Sequence, residues 1–144
     1  HTAYRRQRQM CIRDRGEYHF CVAVRSDHPL AQLDQVTFQD LASQKVLMVP
    51  IGVSDKNDSL RRQMLATVPS IQPVSTQGRY DINTFNQAVE ENIVLISLTP
   101  WRNIHPNLVT IPLKTQLTVP YGLLSTKFPG EKTAKFLQEF MEIR

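Results

Sequence analysis

Short apolar, β-rich runs alternate along this chain with segments whose apolar residues recur at helical spacing. The apolar runs occupy residues 19–24, 46–49, 93–96, 108–111 and 119–125, with a weaker run at 71–74. Helical spacing occurs at residues 36–41, from 58 to about 68, and after Gly130. It also occurs in a segment that Asp81 or Asn83 can cap and that Asn92 can end. The run at 93–96 has no polar face, which is typical of a strand covered on both sides. The pattern predicts an α/β fold with a mainly parallel, double-sided sheet.

The composition excludes several other classes of protein. With 144 residues, of which 41% are hydrophobic and 21% charged, the chain matches a globular protein of one domain or two small lobes. No apolar run approaches the roughly 18 residues that a membrane-spanning helix needs. Cys11 and Cys21 are too few for a disulfide scaffold, which favours a reducing compartment.

The net charge of +4 is confined to the first 15 residues. They contain five Arg and one Asp, whereas the other 129 residues contain 12 basic and 12 acidic side chains. A basic arm that binds nucleic acid is one explanation. Reverse-translated, however, residues 5–15 resemble a transposase-type sequencing adapter read in frame. We therefore expect residues 1–15 to be adapter-derived and unstructured, which leaves Cys21 as the native thiol.

Residues capable of catalysis or metal binding are scattered along the chain. The five Gly form no phosphate-binding loop, and no Ser lies in a nucleophile elbow. His19, His28 and His105 are far apart in sequence, so we expect no metal site, and we expect no cofactor. Cys21 lies inside an apolar strand and is expected to be a small buried residue. The sequence therefore predicts a protein that is not an enzyme.

Polar residues follow two of the predicted strands and are candidates for binding a ligand. The run that ends at Val49 is followed by a polar loop and a helix predicted to begin near Asp58. In open α/β sheets, ligands bind beyond the carboxyl ends of strands, where helix N-termini can hold anionic groups. Gly52 permits close approach of the backbone, and Ser54 offers a hydroxyl. Residues 97–100 have the same character, and a loop or capping role is the alternative for each of these residues.

Several segments together resemble LysR-type transcriptional regulators. An apolar strand at 21–24, an Asp-His-Pro-Leu-Ala turn at 27–31 and a Val-x-x-x-Asp-Leu helix at 36–41 follow the pattern of that family. Residues 92–100 are similar to its Gly-x-Gly-Ile-x-x-Leu-Pro strand, although Glu91-Asn92 stands where Gly-x-Gly is usual. The segments 108–113 and 121–124 follow in the expected order, so that the resemblance covers residues 18–144.

The resemblance implies a type 2 periplasmic-binding-protein-like domain of two lobes, with a small-molecule effector in the cleft between them. By that mapping, residues 16–25 are one crossing strand and residues 26–117 form lobe II. Residues 118–144 are the other crossing strand and the C-terminal helix of lobe I, which is a remnant. The resemblance carries effector contacts over to four residues: Pro50, Gly52, Ser54 and Thr99. Among them, Ser54 is expected to hydrogen-bond a carboxylate or polar head of the effector.

The resemblance also implies a cytoplasmic, non-enzymatic sensing domain whose effector controls a DNA-bound homo-oligomer. DNA would be contacted only through a helix-turn-helix outside this chain, and no membrane partner is expected. Two alternatives stay open at this point. One is the solute-binding component of a transporter, which has the same fold, and the other is an enzyme on a related two-lobed fold. An upstream helix-turn-helix supports the regulator, and an upstream signal peptide supports the transporter component.

Overall fold

The computed structural model describes residues 10–126 and 130–142, with side chains described for residues 16–121 and 130–140. The chain divides into two compact units. The larger is Tyr18–Val119, and the smaller combines His1–Glu17 with Pro120–Arg144. Across the described residues, no helix has both the length and the apolar character needed to span a bilayer.

Among the described residues, six strands form one sheet. Their bounds are β1 Met10–Arg25, β2 Lys45–Met48, β3 Gln72–Ser75, β4 Val94–Leu98, β5 Leu108–Pro112 and β6 Thr118–Thr126. The order is β3-β2-β4-β1-β5, and β6 also pairs with β1. β2 pairs in parallel with β3 and β4, whereas β1 is antiparallel to both β4 and β5. The α/β class is confirmed.

The expectation of a mainly parallel sheet holds for the direction of β2, β3, β4 and β5 but is wrong for β1. β1 runs against both of its neighbours in the larger unit, which makes the sheet mixed. Residues 21–24 are buried on both faces, as in a central parallel strand. Because such a continuous apolar run reports burial and not direction, the sequence pattern could not distinguish the two orientations.

In the part of the chain that the structure describes, three α-helices accompany the strands: α1 Asp55–Thr67, α2 Ile82–Glu90 and α3 Glu131–Glu142. Helix α1 begins three residues before the predicted Asp58, because the Ser54 side chain caps it by accepting from the Asn57 N–H. Helix α2 begins after Asp81 with a capping box completed by Thr84. Asn92 follows α2 with a φ of 50°, the left-handed conformation expected for a helix stop at that residue.

Each face of the sheet buries its own apolar cluster. The first face packs Val22, Val46 and Ile96 against Leu60 and Met64 of α1. The second face packs side chains of β1, β2 and β4 against α2, and its members include Ala23, Leu47, Leu95, Phe85 and Ala88. Adjacent strand residues alternate between the two clusters, as the pleat requires. The double-sided sheet is therefore confirmed.

The first described residues belong to β1, which begins at Met10. The expectation that residues 1–15 are unstructured therefore does not hold for residues 10–15, and residues 1–9 lie outside the described residues. Strand pairing uses backbone N–H and C=O groups, so a segment with no apolar periodicity can still join a sheet. The adapter origin of residues 1–15 stays a prediction.

Candidate functional site

A cavity of about 340 Å³ opens in the larger unit, at the edge of the sheet where β2 and β4 end. β1 is antiparallel to β4 and pairs Phe20 with Leu98, so its residues at this edge also reach the cavity. The lining consists of strand ends, the start of α1 and the segment after β3; its residues are Phe20, Val49, Val53, Ser54, Asn57, Arg79, Tyr80, Ile96, Ser97, Leu98 and Trp101. The cavity therefore lies where the sequence predicted a ligand site, beyond the carboxyl ends of parallel strands.

An aromatic cluster forms one wall of the cavity. The rings of Tyr80 and Trp101 lie 5.6 Å apart between centroids, and both line the cavity. Phe85 is not a lining residue; it is 3% exposed and contacts both rings edge-on, at 6.0 Å and 6.1 Å. Edge-to-face pairs of this kind favour one relative orientation of the rings. Phe85 thus holds Tyr80 and Trp101 in place from α2.

The hydroxyl of Tyr80 connects the aromatic cluster to the sheet by a hydrogen bond. It donates a hydrogen bond of 2.7 Å to the Ile96 carbonyl and lies 3.4 Å from the Leu47 carbonyl. Burial raises the pKa of this phenol well above its ordinary value, so the group remains a protonated donor at all physiological pH values. Tyr80 therefore stabilises the ends of β2 and β4 beside the cavity.

Ser97 is a lining residue whose hydroxyl is buried and has no hydrogen-bond partner among the described residues. The residue is 1% exposed, and its Oγ atom makes no hydrogen bond within the described residues. Ser97 pairs with Cys21 across β4 and β1, and strand alternation places it on the same face as Leu95. A buried polar group without a partner carries a desolvation cost of about 1–3 kcal/mol.

Arg79 is the charged residue of the cavity lining, and it is exposed. Among the described side chains, the ion pair that the structure contains joins Arg25 and Asp27, so the Arg79 guanidinium has no carboxylate partner there. The lining as a whole carries one positive formal charge. The cavity therefore combines a mostly apolar interior with a cation at its rim.

The loop between β2 and α1 uses most of its polar groups internally. Gly52, with a φ of +92° that favours glycine, donates its N–H to both carboxylate oxygens of Asp58 at 3.1 Å and 3.2 Å. The Ser54 Oγ accepts from the backbone N–H and the side-chain amide of Asn57 at 3.4 Å and 3.2 Å. Asp55 and Asp58 lie in the first turn of α1 and complement the positive end of the helix dipole.

The structure separates the four residues predicted to contact an effector. Ser54 lines the cavity, whereas Pro50, Gly52 and Thr99 are not lining residues. The Pro50 carbonyl accepts from the Val53 N–H at 3.3 Å. The Thr99 hydroxyl donates to the His19 carbonyl at 3.0 Å and accepts from the His19 N–H at 3.2 Å. Effector contact at these four residues stays a prediction.

Sequence reasoning missed Asn57, Arg79, Tyr80 and Trp101 as lining residues, and it included Ser97 only within a strand-end segment. Arg79 and Tyr80 follow β3, which is parallel to β2 and ends at the same edge. Examining the end of that third strand as well would have found them. Trp101 closes a short 3-10 helix, Thr99–Trp101, directly after β4.

Cys21 is buried, as expected from its place in an apolar strand. Its Sγ atom lies 4.0 Å from the Thr99 hydroxyl, and burial raises the pKa of the thiol. A raised pKa keeps the thiol protonated and unreactive near neutral pH.

Comparisons with known proteins identify relatives of this fold. A family model described as "LysR substrate binding domain" matches residues 3–142. No curated protein sequence matches the chain. Three solved structures illustrate the similarity. The Synechocystis CcmR regulatory domain in complex with 2-PG has a TM-score of 0.70 at 13% identity, over 94% of this chain and 67% of that one. The BenM effector binding domain with its effector benzoate has a TM-score of 0.69 at 16% identity, over 93% and 62%.

The third structure is CbnR, a LysR family transcriptional regulator, with a TM-score of 0.74 at 12% identity over 94% of this chain and 47% of that one. The chain thus spans about two thirds of the regulatory domains and about half of this regulator. The periplasmic-binding-protein-like fold is confirmed. Because the matched family and the three structures are regulatory, the transporter alternative is not favoured.

Proposed function

Because the chain belongs to the LysR substrate-binding domain family, we propose that its cavity of about 340 Å³ is where the small-molecule effector of a bacterial transcription regulator binds. The observation that carries the proposal is the place of this cavity at the edge where the parallel strands β2 and β4 end, with the start of α1 and the end of β4 both in its lining. Ligands of open α/β sheets bind beyond the carboxyl ends of such strands. Ser54 belongs to the same lining and retains a hydroxyl proton that it can donate.

The cavity also has the composition of a ligand site. Its lining is largely aliphatic and aromatic with a few polar groups, and its volume lies at the small end of the range of about 300–1,000 Å³ that ligand pockets cover. The BenM and CcmR domains were each solved with a small molecule, benzoate and 2-PG. We propose an effector of comparable size for this chain.

Residues from three separate elements line the cavity, and this indicates how ligand binding acts on the domain. Ser54 belongs to the start of α1, Tyr80 to the segment after β3, and Ser97 to the end of β4. A ligand that contacts all three lowers the free energy of the arrangement in which they converge. In this proposal the domain is non-enzymatic and cytoplasmic, and it signals to a DNA-bound homo-oligomer whose DNA-reading part lies outside these residues.

The test is a thermal-shift screen of the 144-residue chain against a library of small organic metabolites. We expect at least one compound to raise the Tm, because a ligand that binds the folded state stabilises it. Val53→Phe should abolish the shift, since Val53 lines the cavity and is 40% exposed at its rim.

Ile51→Phe is the matched control, because Ile51 lies on the same loop, is 73% exposed and is not a lining residue. Its shift should equal that of the unsubstituted chain. A shift that survives Val53→Phe would place the ligand elsewhere and contradict the proposal. So would a library in which no compound raises the Tm.

A further inference from the structure

Two histidines, His28 and His105, each precede a proline in the sequence and make the same hydrogen bond in the structure. The Nδ1 atom of each accepts from the backbone N–H two residues further on, at 3.1 Å from Leu30 and at 3.1 Å from Asn107. A proline disfavours helical backbone in the residue before it, and His28 is extended, with a φ of −71° and a ψ of 142°. Because Nδ1 accepts, each neutral ring carries its proton on Nε2.

Both histidines lie at the edge of the sheet opposite the cavity. β1 ends at Arg25, which pairs with Leu108, the first residue of β5. His28 therefore follows β1 and His105 precedes β5 at the same edge. We infer that His28 is a pH-sensitive switch, whose neutral ring holds residues 27–32, here called the His28 turn, and whose protonation releases that turn.

Protonation has different consequences at the two histidines because their burial differs. His28 is 6% exposed, and its hydrogen bond with Leu30 is buried. A protonated ring carries a hydrogen on Nδ1 as well, so it can no longer accept and directs that hydrogen at the Leu30 N–H. A buried N–H that loses its acceptor is costly. His105 is half-buried and its hydrogen bond with Asn107 is exposed, so water can replace the acceptor there.

The surroundings of His28 favour the neutral ring. Burial lowers the pKa of this imidazole; Asp27 and a hydrogen bond with the Gln44 side chain oppose the shift, and Arg25 adds to it. The Asp27 carboxylate accepts two hydrogen bonds of 2.7 Å from the Arg25 guanidinium, which leaves less of its charge to stabilise an imidazolium. The unfolded chain therefore binds a proton at His28 more readily than the folded chain does. Stability should fall as the pH falls from the ordinary pKa of histidine to the lowered one.

The His28 turn is part of the packed core, so its release affects more than one hydrogen bond. Leu30 is 7% exposed and belongs to the apolar cluster that also contains Leu60 and Met64 of α1. The turn contacts β5 as well, and the His28 N–H donates to the Arg25 carbonyl at 2.8 Å. Displacement of Leu30 would loosen the packing of α1 against the sheet.

The first test compares the Tm of the 144-residue chain at about pH 8 and about pH 5 with that of two variants, His28→Asn and His105→Asn. The side-chain oxygen of asparagine can accept the same backbone N–H, and asparagine does not titrate. The unsubstituted chain and His105→Asn should lose the same Tm on acidification, whereas His28→Asn should lose about 2–4 °C less. An equal loss in all three proteins, or a smaller loss in His105→Asn alone, would overturn the inference.

A second test uses the unsubstituted chain, so it does not depend on the folding of a variant. At about pH 8, imidazole nitrogen chemical shifts should show the His28 proton on Nε2, and the Leu30 amide should be protected from hydrogen exchange. When acid protonates the ring, the protection factor of Leu30 should fall about 10-fold. A His28 ring that becomes protonated while Leu30 keeps its protection would overturn the switch, as would a proton on Nδ1 at about pH 8.

Discussion

Two regions border the same cavity and use their polar groups in different ways. The start loop, residues 50–54, directs the Gly52 N–H to Asp58 and the Ser54 hydroxyl oxygen to Asn57. The opposite side, here called the aromatic side, consists of Arg79, Tyr80, Ser97 and Trp101. Its Ser97 hydroxyl has no partner among the described residues.

The difference shows what makes a polar residue near a strand end available to a ligand. In the start loop, chain reversal and helix capping require the same groups that a ligand would need. On the aromatic side, the Tyr80 hydroxyl bonds the Ile96 carbonyl, whereas the exposed Arg79 guanidinium has no carboxylate partner among the described side chains. We therefore expect changes in the start loop to alter stability more than binding, and a change at Arg79 to alter binding more than stability.

The largest effect should come from removing the support of the aromatic side. Phe85→Ala deletes a ring that is 3% exposed and contacts both Tyr80 and Trp101. We expect the free energy of unfolding to fall by about 3–5 kcal/mol, measured by urea denaturation. A loss below about 1 kcal/mol would show that Phe85 does not support this wall. Phe85→Leu retains most of the apolar volume, so its free energy of unfolding should fall by less than that of Phe85→Ala.

A smaller effect is expected from the hydroxyl of Tyr80. Tyr80→Phe keeps the ring and removes the hydrogen-bond donor to the Ile96 carbonyl. The free energy of unfolding should therefore fall by about 1–2 kcal/mol, measured by urea denaturation. The Trp101 ring keeps its contact with the ring at position 80, so its fluorescence maximum should not move. A variant as stable as the unsubstituted chain would mean that the carbonyl finds another donor.

In the start loop, Ser54→Ala should lower the free energy of unfolding by about 1 kcal/mol, because it removes the cap of α1. Ser54→Asp should restore most of this stability, since aspartate caps equally well. Thermal or urea unfolding of the two variants provides the comparison. If Ser54→Ala instead weakens ligand binding about 10-fold with no loss of stability, Ser54 belongs functionally with the aromatic side.

The smallest effect is expected at the tip of the same loop. Ile51→Ala removes a side chain that is 73% exposed, so the free energy of unfolding should change by less than about 0.5 kcal/mol. A larger destabilisation, measured in the same urea series, would show that Ile51 packs against the protein and that the loop is less self-contained than its hydrogen bonds indicate.

Sequence patterns predicted the elements of the fold well, because burial on both faces leaves a continuous apolar run and capping leaves a recognisable residue. The runs at β2 and β4 are examples of burial, and Asp81, one of two candidate caps with Asn83, is the cap that α2 uses. The direction of β1 and the participation of residues 10–15 in a strand were not predictable in this way. Both depend on backbone pairing between distant segments, to which side-chain periodicity contributes little.

The candidate site was predicted in place but only partly in composition. Parallel strand ends located the cavity, and Ser54 was identified as one of its residues. Whether a polar side chain is free depends on neighbours brought together by the fold. Thr99 looked equivalent to Ser97 in sequence, yet its hydroxyl bonds the His19 backbone while that of Ser97 bonds nothing among the described residues.

Amide chemical shifts recorded during a titration with the compound that raises the Tm most in the thermal-shift screen test the contrast between the two regions most directly. The largest changes should occur at Tyr80, Ser97 and Trp101, which line the cavity on the aromatic side. The amide of Gly52 should change little, because its N–H is already bonded to Asp58. Large changes at Gly52 together with an unchanged Ser97 would contradict the account, since the ligand would then be bound by the start loop.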